Sequence, residues 1–114
     1  MKIVCTSKGD SSNSEIDPRF GRASYFVIFD DESKTFQSVD NTSVGAASHG
    51  AGLRAAQTLL DFQPDVLITG NGPGGKAGSI LERLPMRIFV GADGMTVQQA
   101  LDAFASGNLR ELQL

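Results

Sequence analysis

The stretch Asp65-Val-Leu-Ile-Thr-Gly-Asn-Gly-Pro-Gly-Gly-Lys-Ala-Gly-Ser79 decides the fold. It begins with a short apolar run, Val66 to Ile68, which predicts a buried strand. A glycine-dense turn follows from Gly70 to Gly75, and after it apolar residues recur at the spacing of a helix, namely Ala77, Ile80, Leu81 and Leu84. The stretch therefore predicts a strand, a glycine loop and a helix.

The glycine loop fits an anion-binding site. Unpaired backbone N–H groups at the start of the helix would point the same way, with the positive end of the helix dipole behind them. Anions favour such a place, and Lys76 adds a full positive charge there. A tight connection that uses glycine only for its backbone angles would look the same, so both interpretations stay open.

The same loop partly matches a nucleotide-binding motif. The spacing from Gly70 to Lys76 is that of the P-loop, G-x-x-x-x-G-K. That motif needs Ser or Thr next, to bind magnesium, and Ala77 stands there instead. Pro73 also removes a backbone donor from the loop. Nucleotide hydrolysis is therefore disfavoured, and a nucleotide- or phosphate-binding protein remains as an alternative.

Length and composition predict one soluble domain spanning residues 1–114. Hydrophobic residues make up 40% and charged residues 20%, and the net charge of −3 argues against a nucleic-acid partner. Cys5 is the only cysteine, so an internal disulfide is impossible; most strand cysteines of this kind are small buried hydrophobes. Residues 1–6 form a strand-like run without the apolar region of a signal peptide, so we expect none, and no apolar run reaches membrane-spanning length. We expect a cytoplasmic protein that does not contact a membrane.

The order of the predicted elements is βββαβαβα. A hairpin comes early and strand–helix repeats follow, so right-handed crossovers predict a mixed five-stranded sheet with helices on both faces. The last helix has a capping box, Thr96 and Gln99, and its stop signal is Gly107. The predicted strands are 2–6, 24–30, 35–39, 66–68 and 85–90, and residues 108–114 form a tail that adds an edge strand or docks on the surface.

Loops at the carboxyl ends of parallel strands collect at one rim of a sheet. By that rule the loops at residues 7–22 and 70–76 share a rim, and the stretch 41–52 reaches the same side. Arg19 and Arg22 lie in the first loop, and the arginine fork suits oxyanions. Spacing alone favours a solvated turn whose Phe20 plugs the edge of the core. His49, the only histidine, is by its spacing either a capping or surface residue or a metal or cluster ligand.

Four motifs in this order resemble the dinitrogenase iron–molybdenum cofactor biosynthesis family, and together they cover nearly the whole chain. They are Phe20-Gly-Arg-Ala-Ser-Tyr-Phe26 followed by Asp30; Asn41 ahead of His49-Gly-Ala-Gly52; Thr69-Gly-Asn-Gly-Pro-Gly74 before Lys76-Ala77; and Gly91…Gly94-Met-Thr96…Ala100-Leu101 with Gly107-Asn-Leu109. The resemblance implies a ribonuclease H-like α/β fold. Nucleases of that fold hold magnesium on strand carboxylates, which the strand Lys2 to Thr6 lacks, so nuclease activity is not expected.

The resemblance also implies a function. Family members with known roles carry or protect anionic metal–sulfur clusters: the iron–molybdenum cofactor, its precursor or a molybdenum–copper sulfide cluster. Many small stand-alone members have no assigned role. The resemblance implies a non-enzymatic carrier whose partners are the cluster and cluster-assembly proteins. The exposed hairpin edge from Thr35 to Val39 could pair, so we expect a monomer or a weak dimer. An interaction domain without a ligand is the further alternative. The implied cluster contacts are Arg19, Phe20, Arg22, Asn41, His49, Gly70, Asn71, Gly72, Gly74 and Lys76, with His49 as the metal ligand.

Overall fold

Six strands and three helices make up the described part of the computed structural model, which comprises residues 1–45, 50–73, 78 and 81–113. The strands are β1 (Lys2–Ser7), β2 (Tyr25–Asp30), β3 (Thr35–Asp40), β4 (Val66–Ile68), β5 (Arg87–Val90) and β6 (Arg110–Leu112). The helices are the four-residue α1 (Thr42–Gly45), α2 (Ala51–Phe62) and α3 (Val97–Ala105). No described helix has both the length and the apolar character needed to span a bilayer.

The strands form one mixed sheet in the order β3-β2-β1-β4-β5-β6. β1 is antiparallel to β2, and β2 to β3, so β3 runs in the direction of β1. β4 pairs parallel to β1 and β5 parallel to β4. The carboxyl ends of β1, β3, β4 and β5 therefore meet at one edge of the sheet, which we call the rim.

The sheet has one strand more than the five predicted. β6 pairs antiparallel with β5, with Leu112 opposite Ile88 and Arg110 opposite Val90. The tail is short and only half-apolar, so its sequence does not show the pattern of a buried strand. An edge strand does not need that pattern, because it has a neighbour on one side only. The mixed α/β character of the prediction is confirmed.

Alternating residues of the strands build two apolar layers, one on each face of the sheet. On one face Val4 packs with residues of α2 such as Ala56 and Leu59. On the other, Ile3 and Cys5 pack with α3. The strand period of two places neighbouring side chains on opposite faces, so the helices cover both faces as predicted.

The local signals of α3 are confirmed. Thr96 accepts a hydrogen bond from the backbone N–H of Gln99, and the Gln99 side chain accepts one from the backbone N–H of Thr96. Gly107 follows the helix with φ 74°, a left-handed angle that suits glycine. The helix predicted from Ala77 to Leu84 falls partly on residues outside the described range.

Candidate functional site

Two of the predicted loops meet at the rim. The backbone N–H of Asn71 donates to the carbonyl of Pro18 at 2.8 Å. A Cβ on Gly70 would lie 2.6 Å from Pro18 Cα, so the two backbones are in direct contact. Gly91, which follows β5, donates its N–H to the carbonyl of Gly70 at 3.1 Å. The prediction that the loops after β1 and β4 share a rim is confirmed, and the turn after β5 joins them.

The rim is anchored to the sheet by two buried threonines. Thr6 near the end of β1 and Thr69 just after β4 are both fully buried. The Thr6 hydroxyl lies 2.8 Å from the Thr69 hydroxyl and 2.7 Å from the carbonyl of Asp17. The Asp17 N–H donates to the carbonyl of Thr6 at 3.0 Å. These bonds fix the start of the arginine-bearing loop, residues 17–24, on the strand ends.

Asp17 and Arg19 form a clasp inside this loop. The Asp17 side chain is only 1% exposed, and its carboxylate accepts from Arg19 N at 3.0 Å, Nε at 3.1 Å and Nη2 at 3.0 Å. Burial works to raise the pKa of Asp17, but the hydrogen bonds and charge of Arg19 hold that pKa below its ordinary value. The same pairing raises the pKa of Arg19.

The pairing leaves Arg19 able to reach solvent. Its side chain is 58% exposed, and the clasp uses only Nε and Nη2, so Nη1 lies outside it. A guanidinium held on one edge is oriented by that bond and can present its other donors outward. Arg22 is likewise exposed on the same loop.

Phe20 and Asn41 are buried beneath the loop. Phe20 is 5% exposed, and its ring centroid lies 5.9 Å from that of Phe26 in the core on the α2 side. Asn41 is 2% exposed, and its amide Nδ2 donates to the carbonyls of Gly21 at 3.2 Å and Ala23 at 2.8 Å. In the described geometry both residues position the loop, and neither presents its side chain to solvent.

The loop also lies against the first turn of α2. A Cβ on Gly21 would stand 2.6 Å from both the N and the Cα of Gly52, so only glycine permits this approach. The N-cap of α2 is Gly50, with φ 75°, and it makes no side-chain capping hydrogen bond. The positive end of a twelve-residue helix therefore lies beside the arginine-bearing loop.

The glycine loop contributes backbone more than side chains. Gly70 is buried against Pro18 and Asp93, whereas Asn71 and Gly72 are exposed. A Cβ on Gly72 would collide with the Leu112 side chain, so β6 supports this loop from the side. The predicted contacts His49, Gly74 and Lys76 lie outside the described residues, and their roles stay predictions.

The described part of the loop is a poor phosphate cradle. The Asn71 N–H is already donated to Pro18, and Pro73 has no N–H to offer. A P-loop needs such donors pointing at the phosphates. The alternative of nucleotide binding through residues 70–76 is therefore not favoured.

The described part of the rim does not assemble a metal-binding group. Within residues 1–45, 50–73, 78 and 81–113, no group of three or more His, Cys, Asp or Glu side chains is placed to hold a metal ion. Cys5 is fully buried, and burial raises the pKa of its thiol to about 12. The thiol stays protonated at neutral pH and cannot act there as a thiolate ligand. Guanidinium and backbone N–H groups suit a large anion, not a bare cation.

Sequence reasoning missed three of the residues that build the rim. Thr6 and Thr69 stand at the ends of strands, and Asp17 looks like an ordinary loop residue before proline. The Asp-Pro-Arg spacing was a usable signal, because an aspartate commonly accepts a hydrogen bond from the backbone N–H two residues on. The threonine pair joins residues 63 apart, and no local pattern reports such a contact.

A family model and two solved structures relate this chain to the same group of proteins. A family model described as "Dinitrogenase iron-molybdenum cofactor" matches residues 1–107. The apo form of the orange protein from Desulfovibrio gigas is 36% identical, with a TM-score of 0.90, covering 97% of this chain and 92% of that one. The NMR structure of a "putative NifB protein" from Thermotoga, of the DUF35 family, is 34% identical, with a TM-score of 0.85, covering 99% of this chain and 94% of that one.

A third solved structure is similar in fold only. The crystal structure of PH0822 is 23% identical, with a TM-score of 0.75 and coverage of 96% and 93%, which shows a shared fold alone. A search among curated proteins found no match.

Proposed function

Because the chain belongs to the dinitrogenase iron–molybdenum cofactor family, we propose that it carries an anionic metal–sulfur cluster as cargo and catalyses no reaction. The cargo is an iron–molybdenum cofactor-like cluster, its precursor or a molybdenum–copper sulfide cluster. Cluster-assembly proteins would deliver or receive it.

The observation that supports this most is the seating of the arginine-bearing loop against the start of α2. Gly21 touches the backbone of Gly52, so the loop and the positive end of the helix act on the same volume. Arg19 and Arg22 add full charges there, on a protein whose net charge is −3. A local positive site on a negative body concentrates an anionic ligand.

Each group has a distinct task in this proposal. Arg19, oriented by Asp17, and Arg22 contact the anionic sulfides of the cluster. Asn71 and Gly72 form the opposite wall, and Phe20 and Asn41 hold the loop from below. We propose His49, Gly74 and Lys76 as the remaining cluster contacts, and among these proposed contacts His49 is the side chain suited to ligating a metal directly.

Hydrogen bonding to sulfides, with few direct bonds to metal, has a functional consequence. A cluster held by charge and N–H donors can be released intact, whereas a cage of thiolates would retain it. Cys5 fits that picture, because its buried, protonated thiol does not compete for the metal.

The experiment is an anaerobic titration of the purified protein with tetrathiomolybdate and copper(I), followed by visible spectroscopy beside a thermal melt. New charge-transfer bands that saturate at a fixed stoichiometry, with a raised Tm, are expected because a ligand bound only by the native state stabilises it. Arg22→Gln should weaken binding about tenfold, the order of one charge-assisted hydrogen bond.

Arg83→Gln is the matched control. Arg83 is exposed and lies shortly before β5, away from the rim, so its loss should leave cluster affinity unchanged. Equal affinity of wild type and Arg22→Gln would remove the arginine loop from the site. An unchanged spectrum and melt with this cluster and with iron–sulfur precursors would instead favour the ligand-free interaction domain.

A further inference from the structure

The two outer strands of the sheet differ in how they are protected. β6 has three residues, and the Arg87–Glu111 ion pair, at 3.0 Å, ties it to β5. β3 has six residues, and all but Val39 are exposed. Among the described strands β3 has a neighbour on one side only. Its other side carries a row of backbone N–H and C=O groups.

β3 lacks the features that normally block edge pairing. Proline, lysine and bulges keep natural edge strands from joining other chains. β3 contains no proline or lysine, and its register with β2 runs without a break from Thr35 opposite Asp30 to Asp40 opposite Tyr25. A regular, exposed edge of this length is a template for another strand.

An apolar strip runs from this edge toward α3. Phe36 is 43% exposed, and its ring centroid lies 4.8 Å from that of Phe29. Phe29 in turn lines a cleft of about 470 Å³ together with Leu101 and Phe104. Lys34 lines the same cleft, so Lys34, Phe29 and Phe36 border one face of the sheet near its edge.

We propose that β3 pairs antiparallel with β3 of a second copy of this chain, with Gln37 opposite Gln37 of the partner on a twofold axis. Lys34 is the turn residue just before β3, with φ 59°. This register places it level with the partner's Asp40 at the end of the partner strand, where its long side chain can pair with that carboxylate, and by symmetry the same pair forms a second time. Thr35 then faces the partner's Val39. The two six-stranded sheets become one continuous sheet of twelve strands.

Charge and apolar contacts select this register over its neighbours. It brings Phe36 opposite the partner's Ser38, so the two Phe36 rings are diagonal neighbours on one face, within reach of each other. A register centred on Phe36 would bring Asp40 level with the partner's turn before β3, where Glu32 carries the same charge. A register centred on Ser38 would set Phe36 opposite the partner's Asp40 and leave Lys34 without an acidic residue opposite it.

The pairing leaves the rim open. The twofold axis passes through the middle of β3, whereas the arginine-bearing loop connects β1 to β2, one strand inward from the paired edge, and packs on α2. The dimer would therefore carry two separate rims, and its existence does not depend on the proposed cargo. An edge-to-edge contact between strands is small, so we expect a weak dimer with Kd of about 0.1–1 mM.

Analytical ultracentrifugation of the full chain from about 0.01 to 2 mM, which spans the expected Kd, tests this directly. Lys34→Glu and Asp40→Lys each turn both attractive pairs into repulsive ones, and each alone should raise the dimer Kd about tenfold. A mixed dimer with one copy of each variant has both attractive pairs again. An equimolar mixture of the two variants should therefore dimerise over the same range of protein concentration as the wild type.

If Lys34 and Asp40 only stabilised the monomer, mixing the two variants would not restore dimerisation. Thermal melts of each variant check that the monomer stays folded, since Asp40 also accepts hydrogen bonds from Thr42. Glu82→Lys, a change at an exposed residue beside β5 and β6, far from β3 in the sheet, is the charge control and should leave the Kd unchanged. A chain that stays monomeric throughout, or a mixture that does not re-form dimer, would overturn the proposal.

Discussion

Replacing Asn41 with alanine removes the two hydrogen bonds that hold the arginine-bearing loop from below. The Asn41 amide donates to the carbonyls of Gly21 and Ala23, at 3.2 and 2.8 Å, and the side chain is 2% exposed. Each lost bond costs about 1 kcal/mol, and more where the carbonyl stays buried without a donor. We therefore expect the free energy of unfolding to fall by about 2–4 kcal/mol.

Urea denaturation at pH 7 measures this loss, and Asn108→Ala is the control. Asn108 is exposed, so its replacement should cost less than about 0.5 kcal/mol. The Asn41→Ala variant should also bind the cluster probe more weakly, because the loop that carries Arg22 loses its support. A loss of stability below about 1 kcal/mol would refute the reasoning, since two buried carbonyls would then have found other donors.

Asn41→Asp separates hydrogen bonding from side-chain volume. An ionised carboxylate has no proton to donate to the two carbonyls, so burial and the carbonyl dipoles would raise the pKa of this aspartate in the folded state. A pKa raised in the folded state means that stability falls as the pH rises above the ordinary value of about 4. The variant should therefore be closer to wild type at pH 4 than at pH 7, and equal deficits at both would count against the assigned contacts.

Three further predictions concern other residues. The pKa of Asp17 is held below its ordinary value, so the ion pair of Asp17 with Arg19 stabilises the fold above about pH 4, and this stabilisation is lost as the pH falls. In calorimetry, the Tm difference between wild type and Asp17→Asn should therefore shrink below about pH 4. Thr96→Ala removes the capping box of α3 and should cost about 1 kcal/mol in urea unfolding, whereas Thr96→Ser should cost little. The Cys5 thiol, with a pKa of about 12 and no exposure, should react with iodoacetamide at pH 8 only in denaturant; rapid labelling of the native protein would contradict its burial.

The parts of the fold that the sequence predicts are those encoded locally. The apolar runs of β1, β2 and β4, the Thr96 capping box and the turn at Gly107 each lie within a few residues, where period and turn chemistry act. β6 was harder to assign as a strand, because a half-exposed edge strand needs little apolar pattern.

The meeting of the two loops at the rim was predictable from the sequence, whereas the contacts of the individual residues there were not. Parallel strands bring their carboxyl ends together, which placed the two loops on one rim. The role of Asn41 depends on carbonyls 18 and 20 residues away, and that of Phe20 on a ring in β2. The resemblance implied both as cluster contacts, while the spacing favoured Phe20 as a plug at the edge of the core. In the structure both side chains are buried beneath the loop, and their contact with a cluster stays a prediction.

The contact between Gly21 and Gly52 also limits how the protein can change over generations. When two packed side chains clash, a smaller residue on one side can compensate for a larger one on the other. Here the facing residue is already glycine, so a side chain added at position 21 meets main-chain atoms, which no substitution can shrink. A lineage that lost Gly21 would have to move the loop away from α2, and the rim would change its shape in the same step.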